Sequence, residues 1–336
     1  MHTGRSYTLK ELILWTRREI YVLTLLAALA TVLYAVIGWT WLSIPWVPIA
    51  LLGTAAAFLV GFKNNATYAR SWEARQIWGG IVNSSRSWGI MVRDFIHDTS
   101  ASEADVKQAH QRLIYRHVAW LTALRYQLRE PRNWETIYTR SYNLEYISVY
   151  GIPEKNGNLT EELRKLLSTE ELSYVLSKKN RATQIISLQS KDLKQLSAQG
   201  WIEDLRYIQL ETMLKEFYDH QGKSERIKNF PYPRHFATIN RFFIRLFVIM
   251  IPFGLLKEFD KLGDNLVWLA IPFSVAVSWV FTTLDQIGES TENPFEGGPN
   301  DTPITSMSRT IEIDLREMLD ETDLPPAIQP VNNILM

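Results

Sequence analysis

From Ile20 to Phe62 the chain runs for 43 positions without a charged residue. As helix this run extends roughly 65 Å at about 1.5 Å per residue, and a bilayer's hydrocarbon core is only ~30 Å, so it predicts two crossings rather than one. The first spans Ile20 to Trp41. Ser43, Pro45 and Pro48 then supply a turn, because proline lacks the donor that a helix interior needs. The second crossing runs from Val47 to Phe62. Leu266 to Leu284 is also charge-free and long enough to span. The crossing ahead of it is weaker. Leu246 to Leu256 is apolar and spans only if its helix begins near Ile239, which sets Arg241 and Arg245 in or beside the membrane. There they snorkel to headgroups or face water inside a bundle; for Arg241, at the end, snorkelling is the favoured reading.

Between the two hairpins lies a polar insert of about half the chain, patterned as helix. Val106, Leu113, Ile114, Trp120, Leu121 and Leu124 recur near a 3.6-residue period. Ser100 with Glu103 reads as a capping box before them. Leu163, Leu166, Leu167, Leu172, Val175 and Leu176 form a second set. Tyr150–Pro153 and Lys155–Asn158 break the pattern and mark a loop. After Leu284 the tail turns acidic and rich in proline and glycine, with an amphipathic stretch at Ile311 to Leu319; such a tail wraps a partner subunit or is mobile. Basic residues set orientation. Lys10, Arg17, Arg18, Lys63, Arg70, Arg75, Arg234, Arg241 and Arg245 all fall on one side of four spans. The expected organisation is all-α. It has a cytosolic segment 1–19, a membrane hairpin 20–62, a cytosolic helical region 63–238, a second hairpin 239–285 and a cytosolic tail 286–336, with both termini cytoplasmic.

Composition narrows the function. The 36 basic and 36 acidic residues balance, against a dedicated nucleic-acid binder, which needs a basic excess. There is no cysteine, which removes disulfides, zinc–thiolate sites, iron–sulfur clusters and a cysteine nucleophile. The mean hydropathy of −0.12 averages two unlike kinds of segment. The charged residues before Ile20 and the length of the run do not fit a cleaved signal peptide.

In the second crossing Gly53, Ala57 and Gly61 stand four apart on one helix face, where small residues let helices approach closely in lipid. Thr54, Phe58 and Phe62 form the adjacent ridge. A packing ridge beside an aromatic one suits a helix lining a narrow symmetric pore, where a hydrophobic ring controls ion passage by dewetting. From spacing alone an ordinary packing face with lipid-facing phenylalanines remains the favoured reading. Catalytic chemistry finds no support. His110 and His117 share a face without an acidic third ligand, so a packed or solvated role is favoured. Gly222-Lys223-Ser224 resembles a phosphate loop, but Phe217 stands where its first glycine is needed. No Gly-x-Ser-x-Gly, His-Glu-x-x-His or dinucleotide glycine pattern occurs. Glu161 and Glu162 read as a solvated helix start. The expectation is no enzyme, no cofactor and no metal.

The stretch Gly61-Phe62-Lys63-Asn64-Asn65-Ala66-Thr67-Tyr68-Ala69-Arg70-Ser71-Trp72-Glu73-Ala74-Arg75, followed by Trp78-Gly79 and Val82-Asn83-Ser84-Ser85-Arg86, resembles the bestrophin family, and more closely its bacterial branch. Glu225–Pro233, Pro252-Phe253-Gly254 and Asn293-Pro294-Phe295 with Pro299-Asn300-Asp301 extend the resemblance from about Lys10 to Leu319. It implies a homopentameric ion channel in the cell's inner membrane, four spans per subunit, with the lipid bilayer, permeant ions and its own copies as partners. Carried over by position, the family's pore neck falls on Thr54, Phe58 and Phe62. Its cytosolic aperture falls near Leu205. Thr54 replaces a bulkier apolar residue and is expected to widen or wet its layer. Eukaryotic members clasp calcium with a dense acidic cluster. Here the place reads Glu296-Gly297-Gly298-Pro299-Asn300-Asp301, a poor calcium site. Lys63, Arg70 and Arg75 lie just inside the neck and favour anions. The expected function is passive anion (chloride) conduction; a monovalent-cation channel and a membrane-anchored scaffold or sensor are the alternatives.

Overall fold

The computed structural model describes residues 1–97, 102–263 and 265–336, and among them the regular elements are helices, apart from isolated bridges that join Ile334 to His2 and Val331. Twelve α-helices follow one another: α1 Leu9–Ala35, α2 Trp46–Phe95, α3 Glu103–Arg129, α4 Ser141–Tyr150, α5 Pro153–Asn156, α6 Leu159–Arg164, α7 Thr169–Leu176, α8 Arg181–Ala198, α9 Asp204–Asn229, α10 Arg234–Asp260, α11 Ala270–Ser290 and α12 Ile304–Glu317. Four are long and apolar enough to cross a membrane: α1, the first part of α2, α10, and α11 with the short turn before it. The chain is a multi-pass membrane protein.

The first helix starts eleven residues before its apolar run. Thr8 and Glu11 form a reciprocal capping box, in which the Thr8 amide donates to the Glu11 carboxylate at 2.7 Å and the Glu11 amide to the Thr8 hydroxyl at 3.3 Å. The helix ends at Ala35, short of the expected Trp41, and Gly38 turns the chain with φ +81°. Pro45 caps α2, and Pro48 lies in its first turn, where its missing donor costs nothing. The second crossing does not stop at Phe62: α2 continues for 50 residues. Ile49, Gly53, Ala56, Val60, Lys63 and Thr67 form one buried face. The face then continues through Ala74, Ile77, Trp78 and Ile81, so one rod serves both membrane bundle and soluble core.

In the membrane half α10 packs on α2 and α11, and α11 on α1. Gly53 lets the Phe247 ring approach; a Cβ there would stand 2.7 Å from it. Below, the larger core joins α2, α3, α6 to α9 and α12 around Trp78, Trp88, Trp120 and Phe217. Both expected leucine sets contribute to it. The cap of α3 is Ser102, whose hydroxyl accepts from the Asp105 amide at 3.2 Å; the expected cap, Ser100, lies outside the described residues. The expected loop at 150–158 contains the short α5, with Gly151 at φ +72° ahead of it.

The tail folds back onto its own chain. Segment 292–302 is mostly buried, and α12 packs against α2 and α3 of its own chain through Ile304, Ile311 and Leu315. Beyond it the last residues pair antiparallel with the first: the Thr3 amide donates to Asn333 O at 2.7 Å and the Leu335 amide to Met1 O at 2.9 Å.

Candidate functional site

The two faces of α2 differ sharply. Opposite the buried face runs an exposed stripe through Leu51, Thr54, Phe58, Phe62, Asn65, Tyr68 and Trp72. Phe58 is 65% exposed and Phe62 70%, a large apolar surface that the chain itself leaves uncovered. Tyr68 stacks on Trp72 one turn on, with ring centroids 6.4 Å apart and planes 14° apart. The Thr54 hydroxyl donates to Ala50 O at 3.0 Å, so its proton is held by its own helix. Of the small-residue ridge, only Gly53 packs within the chain. Ala57 is exposed, and an added Cβ at Gly61 meets nothing within 4 Å. Thus Ala57 and Gly61 belong to the open stripe, beside the phenylalanines.

The three basic residues expected at the inner mouth do not act as one group. Lys63 is 1% exposed, and its ammonium donates to Asp285 on α11 at 2.7 Å. Arg70 spends its guanidinium on backbone carbonyls, of Glu292 at 3.1 Å and of Phe230 at 2.7 Å. Arg75 alone remains exposed, its guanidinium against the Met1 sulfur. Helix periodicity turns Lys63 onto the packed face while Phe62 turns outward.

Lys63 begins a polar seam that sequence reasoning missed. The Asn64 amide donates to Leu284 O at 3.1 Å, Thr67 meets the Thr291 hydroxyl at 2.9 Å, and the Ser71 hydroxyl donates to Thr291 O at 3.0 Å. These residues fall on one face of α2 and close on the end of α11. Gly288 is the matching hollow, since a Cβ there would lie 2.3 Å from Asn64 Oδ1 and 3.2 Å from Lys63 Cε. Their recurrence at helical spacing, directly after an apolar span, was the available signal.

Leu205 opens α9 and is 77% exposed, with Ile208 exposed beside it. The next residue, Arg206, lies over the Phe95 ring at 5.5 Å, which ties the start of α9 to the far end of α2. From Phe62 to Phe95 the helix rises roughly 50 Å at about 1.5 Å per residue. The candidate neck on α2 and the start of α9 that carries Leu205 are thus separated by most of the length of α2.

The segment that would hold calcium in eukaryotic relatives is instead internally bonded. Asp301 accepts from the amides of Phe295 (2.9 Å), Gly297 (2.8 Å) and Thr302 (2.7 Å) and from Arg129 (2.7 Å). This knot holds Phe295 at φ +71°, with its ring fully buried beside Trp78. Glu296 accepts from the Thr136 amide at 3.1 Å, and burial pushes its carboxyl well above the usual range. A cation needing six to eight oxygens finds these already engaged, so the residues do not fit calcium. Arg125 bridges Glu162 to Glu154, so Glu162 is tied to α3 rather than solvated. Among the described residues no group of three or more potential ligands gathers for a metal. His110 bonds Ile96 O at 2.8 Å, and His117 is buried against Trp120 and Phe217.

Residues 9–317 match the bacterial and fungal bestrophin family (Bacterial/Fungal Bestrophin protein). The voltage-dependent anion channel-forming protein YneE of Escherichia coli (strain K12) is 31% identical over 284 residues, covering 84% of this chain and 80% of that protein. The voltage-dependent anion channel-forming protein RSc3414 of Ralstonia nicotianae is 26% identical over 279 residues, 82% of this chain and 78% of that one. Among solved structures, a bacterial bestrophin homologue from Klebsiella pneumoniae superposes with a TM-score of 0.75 at 25% identity, covering 91% of this chain and 99% of that chain.

Proposed function

Because the chain belongs to the bacterial and fungal bestrophin family, we propose that it is an anion channel in which α2 of several subunits, five by the family resemblance, surrounds a central pore. The observation that carries this is the division of α2: one face is packed by the chain's own helices, while Phe58 and Phe62 stand exposed on the other. Exposed aromatics at a four-residue spacing form stacked rings when copies of the helix meet around an axis, and such rings gate by dewetting. In this reading Thr54, Phe58 and Phe62 form the neck, Ala57 and Gly61 permit close approach of neighbouring helices, and Leu205 rings the cytosolic aperture. The segments 20–62 and 239–285 lie in the cell's inner membrane. Segments 1–19, 63–238 and 286–336 lie in the cytoplasm, with both termini.

Relatives named as anion channel-forming proteins support anions as the conducted species. With Lys63 neutralised by Asp285 and Arg70 held on carbonyls, Arg75 is the one of the three basic residues left to bias the inner mouth. Chloride efflux from proteoliposomes tests the proposal. Efflux that depends on the protein is expected; its absence from intact, oligomeric protein favours a scaffold.

A further inference from the structure

Arg234, Thr238, Arg241 and Arg245 recur along α10 at steps of four, three and four, which places them on one stripe. Two of these cations have partners. Arg234 reaches Glu292 at 3.0 Å, and Arg241 pairs with Glu289, which also binds Arg140 at 2.9 Å and the Tyr142 hydroxyl at 3.0 Å. Arg241 is therefore anchored to α11, against the expectation that it snorkels. Arg245 is exposed, and among the described residues no carboxylate lies within ion-pair distance of it.

Its position makes this costly. Arg245 stands twelve residues, or roughly 18 Å, before Lys257, and a hydrocarbon core is ~30 Å thick. By length it lies inside the apolar layer, where an unpartnered guanidinium is expensive. Two hollows flank it. One of about 380 Å³ lies between α1, α10 and α11, walled by Val22, Leu26 and Ile249. It also takes in Glu19, Asp285 and Gln286, whose side-chain oxygen is buried with no hydrogen-bond partner. The other, of about 280 Å³, is lined by the three arginines with Ala237, Thr238 and Phe242, and by no acid.

We propose that Arg245 seats the phosphate of an anionic phospholipid from the adjoining leaflet, whose acyl chains lie along Phe242 and Ile249. The apolar walls and the depth select a lipid over a soluble phosphate. The inference needs only that α10 spans a bilayer, and stands or falls apart from conduction.

The test is native mass spectrometry of the purified full-length oligomer with phosphatidylglycerol and phosphatidylcholine of matched chains in competition. Wild type is expected to retain phosphatidylglycerol about fivefold over phosphatidylcholine, the equivalent of roughly 1 kcal/mol for one basic residue near anionic lipid. Arg245→Gln should lose that preference and Arg245→Lys should keep most of it. Equal retention of the two lipids by wild type overturns the proposal, as does undiminished preference in Arg245→Gln. If sn-glycerol 3-phosphate displaces phosphatidylglycerol at comparable concentration, the ligand is a soluble phosphate and the lipid assignment fails. If Arg245→Gln instead breaks the oligomer with lipid retention unchanged, Arg245 pairs with an acid of a neighbouring subunit, and the proposal fails likewise.

Discussion

Lys63 and Asp285 meet at 2.7 Å between α2 and α11, the lysine 1% and the aspartate 9% exposed, immediately after the outward-facing Phe62. The pair pins the rotation of α2 where the helix leaves the apolar layer. With Lys63 held inward, Phe58 and Phe62 must face away from the chain. The orientation of the proposed neck therefore depends on a contact made on the other side of the helix.

Removing one member should leave a buried charge unmatched, at a cost of about 3–5 kcal/mol. Lys63→Met and Asp285→Leu are each expected to lower the thermal midpoint of the detergent-solubilised protein markedly, while the double replacement recovers most of the loss. Losses that simply add in the double variant would show that the pair is not coupled.

Replacing Phe58 or Phe62 with alanine removes an aromatic layer without disturbing the packed face. Single-channel conductance should rise several-fold in each variant, with the unfolding free energy within about 0.5 kcal/mol of wild type, as for exposed sites. Unchanged conductance in both would place the neck elsewhere.

His117 sits among Trp88, Trp120 and Phe217, and burial lowers its pKa from 6.5 to about 3. Ser85 spends its one proton on Ile81 O at 2.6 Å, so the His117 Nε2 carries the proton that it shares with Ser85 at 2.9 Å. The native ring stays neutral while the unfolded one takes a proton below pH 6.5. This contribution to stability is complete above pH 6.5 and is lost progressively as pH falls towards 3. His117→Phe should flatten the acid limb of a stability-versus-pH curve over that window. An equally steep limb would assign acid sensitivity to other groups.

Calcium should leave open probability unchanged at micromolar concentrations, because Asp301 already accepts four hydrogen bonds and Glu296 is buried on Thr136. A calcium-dependent rise in recordings from purified protein would contradict this.

Much of the membrane half was legible in the sequence, since charge-free runs mark spans whatever the tertiary contacts. The start of α1 was legible too: Thr8 and Glu11 stand three apart, a capping box that went unread beside the stronger apolar signal. The length of α2 was hidden because Lys63 looks like the end of a span. Its partner Asp285 lies 222 residues away, and no local pattern announces that a lysine is neutralised there. The packing of the tail on its own chain was hidden for a similar reason. Asp301 organises it through backbone amides and Arg129, contacts to which composition is blind. The aromatic ridge of α2 was visible from spacing, but only the three-dimensional packing separates Gly53 from Ala57 and Gly61.

The reversal potential of the purified protein in planar bilayers under a potassium chloride gradient tests the central claim most directly. An anion channel reverses near the chloride equilibrium potential, the predicted result. Reversal near the potassium potential would contradict it and establish a cation channel, and no current from intact oligomer would contradict conduction itself.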